Sequence, residues 1–298
     1  MNKLRIINKI REVYSKGENM MEFLRKTNSG RNDIESIMIS YDFQAGSYIK
    51  IASENVDYIK SYTGAIISEL NFLGHFTSIM EVGVGEATLM SPLMQQLDPE
   101  NKLKKFGFDI SWSRIRYGHA HAIHHNQKLT LFTANLFDIP LPDNSIDVVY
   151  TSHSLEPNGG FEKDALKELY RVAKHYIVLL EPDYEGGSSE VKERMNKHGY
   201  VKNLAQHATE LGYEIVSDRS FEVCINPLNP TRLTIIRKKS NNGSALEFVC
   251  PITKTPLMKI NGHWYSKETG LLYPEIDGIP CFLEQNAILA TQYLIFNS

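Results

Sequence analysis

The segment SIMEVGVGEATLM, residues 78–90, decides the fold. An apolar run leads into two glycines, Gly83 and Gly85, and Glu81 stands two places before the first of them. Glycines in a strand-to-helix turn let the backbone approach a ligand closely, because no Cβ stands in the way. The segment therefore predicts a strand, a turn that holds a phosphate- or adenosine-bearing ligand, and a helix.

The same alternation of strand and helix continues to about residue 182. Predicted strands lie at 78–82, 104–110, 129–135, 145–153 and 175–182, and predicted helices at 87–97, 113–126 and 162–174. A further helix over 190–211 precedes an antiparallel pair of strands at 213–218 and 231–239. Strands separated by helices imply right-handed crossovers, so we predict an α/β fold with a doubly wound, mostly parallel seven-stranded sheet.

Three regions follow from the pattern along the chain. An N-terminal helical extension over 1–60 precedes the α/β domain at 61–239. The polar, glycine-bearing stretch SNNGS (240–244) is typical of a linker. Short strands and turns then predict a small, mainly β C-terminal domain at 245–298.

Composition limits the function classes. The 298 residues carry a net charge of −3, which does not indicate a dedicated nucleic-acid binder. Three widely spaced cysteines argue against a disulfide framework and fit a reducing compartment. No apolar run reaches the roughly 18 residues that span a bilayer, and the N-terminus lacks the apolar core of a signal peptide. We expect a cytoplasmic protein with no membrane partner.

The glycine-rich turn selects among three cofactor classes. A phosphate-binding P-loop needs a Gly-Lys-Ser/Thr ending, which is absent here. A dinucleotide fingerprint needs a third glycine where Thr88 stands. The remaining choice is S-adenosylmethionine, and the sequence resembles the class I, seven-strand methyltransferases. Their acid-x-Gly-x-Gly-x-Gly motif is matched by Glu81, Gly83 and Gly85, with Ala87 in the place of the third glycine.

The resemblance implies a cofactor site for S-adenosylmethionine and its product S-adenosylhomocysteine. Glu81 would accept hydrogen bonds from the ammonium of the methionine moiety, and Asp109 would bind both ribose hydroxyls. Ile110 would pack on the adenine, while Asn135 and Leu136 would meet its amino group and ring nitrogen. The predicted cofactor-binding set is Glu81, Gly83, Gly85, Asp109, Ile110, Asn135, Leu136, Thr151 and Tyr48.

Tyr48 lies in the stretch YDFQAGSY (41–48) of the extension. In the resembled family such extensions cover the cofactor pocket. Tyr41 or Tyr48 could therefore face the sulfonium in a cation–π contact. A role in helix packing is equally compatible with the same residues.

The segment that ends the fourth predicted strand indicates where chemistry occurs. Ligands of open α/β sheets sit outside the carboxyl ends of the strands, which places Thr151, Ser152, His153 and Glu156 near the acceptor. His153 is the first candidate for a general base, because a neutral imidazole is present near pH 7. Glu156 would orient His153 or bind the acceptor. The alternative that His153 only hydrogen-bonds the backbone stays open.

A histidine-rich segment bears on metal binding. The histidines of residues 119–125 include His121 and His125 on one helix face, but no acid or cysteine nearby completes a ligand set. We therefore expect a packed helix there and no metal site.

The C-terminal domain resembles the small, zinc-ribbon-like activator subunits of methyltransferases. The resemblance rests on Cys250-Pro251, Pro256-Leu257, Tyr273-Pro274 and the closing segment GIPCFL (278–283). Thr253 occupies the position of a second zinc ligand, so no zinc is expected. The domain is then expected to be held by apolar contacts and by docking on the catalytic domain. The residues expected to make those contacts are Leu257, Trp264, Leu272, Ile279 and Phe282.

These features predict an S-adenosylmethionine-dependent methyltransferase acting on a small molecule or a sugar, by O- or N-methylation. Chains with YDFQAGSY, SHSLEPNGG and an activator-like tail resemble methyltransferases encoded with bacterial surface-sugar genes, which indicates a surface-glycan precursor as acceptor. A methyltransferase of tRNA or of a translation protein, and a non-catalytic S-adenosylmethionine-binding scaffold, remain alternatives. The acidic pI favours a small acceptor over nucleic acid. Homo-oligomerisation is left open.

Overall fold

A twisted seven-stranded sheet organises the chain. The computed structural model describes residues 3–26, 32–239 and 242–296. The sheet order is β3-β2-β1-β4-β5-β7-β6, in which β1 to β5 are parallel and β7 runs antiparallel between β5 and β6. The predicted doubly wound, mostly parallel sheet is thereby confirmed. Its strands are β1 (Ser78–Val82), β2 (Lys104–Asp109), β3 (Thr130–Thr133), β4 (Ile146–Ser152), β5 (Ala173–Pro182), β6 (Glu214–Ser220) and β7 (Thr231–Arg237).

Helices precede the sheet and cover both of its faces. They are α1 (Ile7–Ser15), α2 (Met20–Lys26), α3 (Ile34–Phe43), α4 (Ser47–Glu54), α5 (Val56–Phe72), α6 (Met90–Leu97), α7 (Trp112–His124), α8 (Glu162–Val172), α9 (Ser189–His198) and α10 (Leu204–Glu210). The prediction of one helix over 190–211 is wrong. Gly199, at φ +67°, ends α9 in a left-handed cap, and Asn203, at φ +55°, precedes α10.

The two faces of the sheet are buried against different helices. On one face, Ile66 and Leu70 of α5 pack with Met90 of α6 and with Val148 of β4. On the other face, α8 and α10 cover a cluster that includes Val149 of β4. Coverage on both faces explains why the central strands read as continuous apolar runs.

The N-terminal extension packs against the sheet through its last helix. Helix α5 crosses residue 60, where the sequence places the boundary between extension and α/β domain, and its inner face belongs to the main core. Residues 1–2, 27–31 and 297–298 of the predicted regions, and Ser240 and Asn241 of the predicted linker, lie outside the described residues. Over the described ranges, no helix is both long and apolar enough to cross a membrane.

The C-terminal region is mainly β, as predicted. Its strands are β8 (Met258–Ile260), β9 (His263–Tyr265), β10 (Leu271–Tyr273), β11 (Glu275–Ile276), β12 (Ile279–Pro280) and β13 (Ile288–Leu289). The backbone N–H of Phe282 donates to the carbonyl of Thr133 (2.9 Å), which covers part of the exposed edge of β3. Phe282 and Tyr273 also enter the core cluster that contains Phe132 and Val149, so this region shares the hydrophobic core of the α/β domain.

Candidate active site

A cavity of about 390 Å³ lies at the carboxyl ends of the parallel strands. Helices α3, α4 and α5 of the extension close it from above the sheet, so residues far apart in sequence share its wall. Of the sequence-predicted site residues, the cavity is lined by Tyr48, Glu81, Gly83, Gly85, Asp109, Ile110, Asn135, Leu136, His153 and Glu156. Thr151 is the exception, because its side chain is fully buried and does not line the cavity.

The glycine turn after β1 needs glycine for two separate reasons. Gly83 and Gly85 have φ values of +68° and +54°, the left-handed region that disfavours other residues. A Cβ on Gly83 would also lie 2.3 Å from the Cβ of Ser154. The turn can therefore approach the segment that follows β4 only if residue 83 has no side chain.

Asp109 is held rigidly at the end of β2. Its Oδ2 accepts the backbone N–H of Gly85 (3.1 Å), and its Oδ1 accepts that of Ser111 (2.9 Å). Burial raises the pKa of Asp109, and the charge of Arg114 acts in the opposite direction. A buried carboxylate that keeps free lone pairs and faces a cavity can accept further hydrogen bonds, such as those of vicinal hydroxyls.

Replacing Asp109 by alanine is expected to weaken the binding of S-adenosylhomocysteine by about 1–3 kcal/mol, since polar partners are left unpaired. Isothermal titration of the variant beside the wild type measures the difference. Asp164→Ala, on the exposed side of α8, is a control that removes a carboxylate away from the cavity. An unchanged dissociation constant for Asp109→Ala would show that Asp109 does not bind the ribose.

Glu81 is buried at the end of β1 with one strong partner. The hydroxyl of Tyr150 donates to its Oε2 at 2.7 Å. Burial raises the pKa of Glu81 to about 8, although the hydrogen bond from Tyr150 opposes the shift and the nearby Asp109 adds to it. The free protein thus carries a protonated Glu81 at neutral pH, and a cation beside it would favour the carboxylate form.

The affinity for S-adenosylhomocysteine is expected to depend on pH through Glu81. Below pH 8, binding of the ammonium releases the proton of Glu81, so the dissociation constant should rise up to about tenfold per pH unit as the pH falls from 8 to 6. The Glu81→Gln variant should lack this slope, since glutamine does not titrate. Parallel slopes in the two proteins, measured by titration calorimetry, would exclude Glu81 from the ammonium contact.

Arg114 is a functional candidate that the sequence reasoning missed. It lies in the first turn of α7, is 5% exposed and lines the cavity. Its guanidinium carbon is 4.0 Å from the ring centre of Tyr48 and 4.9 Å from that of Tyr41. Its Nε and Nη2 have no hydrogen-bond partner among the described residues, although Nε lies 3.8 Å from the carboxylate of Glu86. The cation that Tyr48 faces in this structure is therefore Arg114.

Glu86 fastens the extension to the glycine turn. Its Oε1 accepts the N–H of Gly46 (2.9 Å) and its Oε2 that of Ile49 (2.8 Å), at the start of α4. A carboxylate at a helix N-terminus satisfies free N–H groups and complements the helix dipole. Asp42 makes a second link, because its Oδ1 accepts the hydroxyl of Ser111 at 2.7 Å. Both links hold the extension over the cavity.

His153 and Glu156 form a hydrogen-bonded pair after β4. His153 has φ +51°, a strained conformation for a residue with a side chain and one that is common at functional sites. Its Nδ1 lies 3.1 Å from Oε1 of Glu156, and its Nε2 lies 2.7 Å from the hydroxyl of Thr231. Burial lowers the pKa of His153, but the hydrogen bond and charge of Glu156 outweigh it, so the pKa is raised. Both ring nitrogens thus already have protein partners.

Two further side chains hold this pair in place. The amide of Asn229 donates to Oε1 of Glu156 at 3.3 Å. Glu181, at the end of β5, accepts the backbone N–H groups of Ser154 and Leu155 at 3.2 Å. Burial raises the pKa of Glu181 to about 7. The position of Glu181 at a strand end was the available sequence signal for it.

The histidine-rich part of α7 forms no ligand cluster. The rings of His121 and His125 contact each other, with centroids 4.6 Å apart. In the described part of the chain, no three His, Cys, Asp or Glu side chains are grouped so that they could hold a metal ion.

A family model matches the central region of the chain. Residues 79–175 match the family model described as a methyltransferase domain. This span includes the glycine turn, Asp109, Asn135 and the His153–Glu156 pair. Among curated proteins, no match is found.

Solved structures of methyltransferases resemble the chain at low identity. A SAM-dependent methyltransferase from Aquifex aeolicus is 17% identical, with a TM-score of 0.43 over 57% of this chain and 87% of its own. Magnesium protoporphyrin IX methyltransferase from Synechocystis PCC 6803, with bound SAH, is 15% identical, with a TM-score of 0.48. The match covers 78% of this chain and 99% of that one. A sarcosine dimethylglycine methyltransferase candidate from Galdieria sulphuraria is 14% identical, with a TM-score of 0.48. The match covers 74% of this chain and 98% of that one. At these identities and TM-scores, the likeness gives no information about which acceptor this chain would methylate.

Proposed function

We propose that the chain is an S-adenosylmethionine-dependent methyltransferase and that its acceptor is a small molecule or a sugar, a surface-glycan precursor methylated on oxygen or nitrogen in the cytoplasm. The observation that carries the proposal is the His153–Glu156 pair, which lines the same cavity as the glycine turn and Asp109. A proton-accepting pair next to a cofactor site fits an acceptor that loses a proton on methylation.

The residues that would hold the cofactor all line the cavity. We assign Glu81 to the ammonium, Asp109 to the ribose hydroxyls, and Asn135 with Leu136 to the adenine. Arg114 is added to this set, because it lines the cavity with its guanidinium beside Gly85. The bound cofactor supplies a methyl group on a positively charged sulfur.

The protein's own contribution to transfer is alignment and removal of a proton. The acceptor oxygen or nitrogen forms a bond to the methyl carbon as the carbon–sulfur bond breaks, and S-adenosylhomocysteine leaves. We assign the acceptor proton to the carboxylate of Glu156, because both nitrogens of His153 already have partners. His153 and Asn229 then orient Glu156, and the walls of the cavity hold the reactants in line.

Aromatic side chains support a sugar-sized acceptor. Tyr41, Tyr48, Tyr58, Tyr62 and Tyr200 line the cavity. Tyrosine combines a broad apolar ring with a hydroxyl that exchanges hydrogen bonds, which suits a molecule with apolar ring faces and polar edges.

We propose that the C-terminal domain stabilises the catalytic domain of its own chain. It would act as an activator subunit does when that subunit is a separate chain. Its support is the shared core around Phe132 and Phe282, together with the backbone hydrogen bond at the edge of β3. Removing such a contact would expose both an apolar patch and a strand edge.

Labelled cofactor tests the proposed function. The protein is incubated with methyl-labelled S-adenosylmethionine and a bacterial extract separated into small molecules, nucleic acid and protein. Label should appear in the small-molecule or glycan-precursor fraction, and mass spectrometry then identifies the methylated atom. Label confined to tRNA or protein would refute the proposed acceptor class.

A further inference from the structure

A group of three cations lies around the end of helix α9, where Tyr200 of the cavity wall follows the helix. Arg25 of α2 donates from Nη1 to the backbone carbonyl of Lys197, at the end of α9 (2.8 Å). Arg194, one turn earlier in α9, has its guanidinium carbon 5.4 Å from the ring centre of Tyr200, which lines the cavity. We call Arg25, Arg194 and Lys197 the basic rim.

A carboxylate partly offsets the charges of the basic rim. The hydrogen bond and charge of Lys26 lower the pKa of Glu22, and the charges of Lys197 and Arg25 lower it further. Among the described residues, no carboxylate lies within 4 Å of any cation of the basic rim. Their fields overlap at His198: burial lowers the pKa of its imidazole, and the charges of all three cations lower it further. In a chain with a net charge of −3, such a local excess of positive charge favours an anion.

The basic rim adjoins the groups assigned to catalysis. Burial raises the pKa of Tyr200 to about 12, with Glu156 adding to the shift and Arg194 opposing it. The charges of Arg194 and Glu156 therefore act on the same phenol. A molecule with its reacting atom at Glu156 could extend past Tyr200 to the basic rim.

From this arrangement, which rests on the proposed function, we propose that the acceptor carries a phosphate or carboxylate group that binds Arg194 and Lys197 while its hydroxyl or amine meets Glu156. Arginine binds both anions through paired N–H groups, and a second cation strengthens the contact. The negatively charged substrate is drawn to the rim, whereas Glu156 keeps the inner end of the cavity acidic.

The basic rim fits a small anion better than a nucleic acid. Nucleic-acid binders neutralise many phosphates along an extended positive surface. Here the group comprises three cations around the end of α9, and the chain as a whole is acidic.

Titration with a matched pair of sugars tests the proposal. Glucose and glucose 1-phosphate differ only by the phosphate, and each is titrated into the full chain saturated with S-adenosylhomocysteine. Glucose 1-phosphate should bind about tenfold or more tightly than glucose, as expected for charge-assisted contacts. Raising the salt from about 50 to about 200 mM should reduce this preference, because it screens the rim. Glucuronate, run in parallel, distinguishes recognition of a carboxylate from that of a phosphate.

A double variant, Arg194→Gln with Lys197→Gln, should lose the preference and keep the affinity for S-adenosylhomocysteine within about twofold. The control removes two charges elsewhere, Arg116→Gln with Lys128→Gln, and should behave as the wild type. A preference that survives in the Arg194/Lys197 variant, equal or undetectable binding of the two sugars by the wild type, or far tighter binding of tRNA would overturn the proposal. Failure to bind S-adenosylhomocysteine at all would instead refute the proposed function.

Discussion

Replacing Gly83 by alanine should abolish cofactor binding and destabilise the fold. The new Cβ would lie 2.3 Å from Cβ of Ser154, and the backbone at φ +68° disfavours alanine. Overpacking and left-handed strain together should lower the free energy of unfolding by about 2–4 kcal/mol. Relief of the clash displaces either the glycine turn or the segment that carries His153. Affinity for S-adenosylhomocysteine should fall by at least about 100-fold, since misplacements near 1 Å have costs of this size.

Gly64→Ala is the matched control for this prediction. Gly64 lies inside α5, and a Cβ there would have no atom within 4 Å. Alanine should stabilise the helix by about 0.5–1 kcal/mol and leave cofactor binding unchanged. Thermal unfolding and titration calorimetry on both variants measure the contrast. If Gly83→Ala binds the cofactor as tightly as Gly64→Ala does, the close approach of the turn to Ser154 is not needed for cofactor binding.

Replacing Glu156 by glutamine should lower kcat by about 100- to 10,000-fold on a hydroxyl acceptor, the usual contribution of a general base. Glutamine keeps the shape and the hydrogen bond from His153 but cannot take the proton. Affinity for S-adenosylhomocysteine should stay within about twofold, because Glu156 is assigned to the acceptor. With an amine acceptor the loss should be far smaller, since an amine can lose its proton to water before transfer.

His153→Ala supplies the second half of this experiment. The imidazole orients Glu156 at 3.1 Å, so its removal should lower turnover by less than Glu156→Gln does and leave cofactor affinity nearly unchanged. Turnover is followed with labelled cofactor on the acceptor identified in extract. If His153→Ala alone removes activity while Glu156→Gln does not, the imidazole is the base and the roles are reversed.

The fold could be predicted from sequence because its signals are local. Each of the first three parallel strands is a short run with a polar residue at or just after its end, as Glu81, Asp109 and Asn135 show. The carboxyl ends of parallel strands meet at one edge, which brings these residues to one cavity although they lie on separate strands. The break between α9 and α10 also had a local signal, the glycine at 199, which a continuous helix prediction passed over.

The remaining features depend on tertiary partners that no local pattern encodes. Arg114 lies in an ordinary helical turn, and its role appears only when Tyr41 and Tyr48 pack against it. Glu86 follows the glycine motif without belonging to it, yet it caps a helix some forty residues earlier in the chain. Likewise, the hydroxyl of Thr231, some eighty residues after His153 in the chain, lies 2.7 Å from its Nε2.

A crystal structure of the protein with S-adenosylhomocysteine tests most directly whether this cavity holds the cofactor. The adenosyl group should lie between Ile110 and Leu136, with both ribose hydroxyls hydrogen-bonded to Asp109 and the sulfur directed toward Glu156. A cavity that stays empty at saturating ligand, or a ligand bound without contact to Asp109 and the glycine turn, would contradict the assignment.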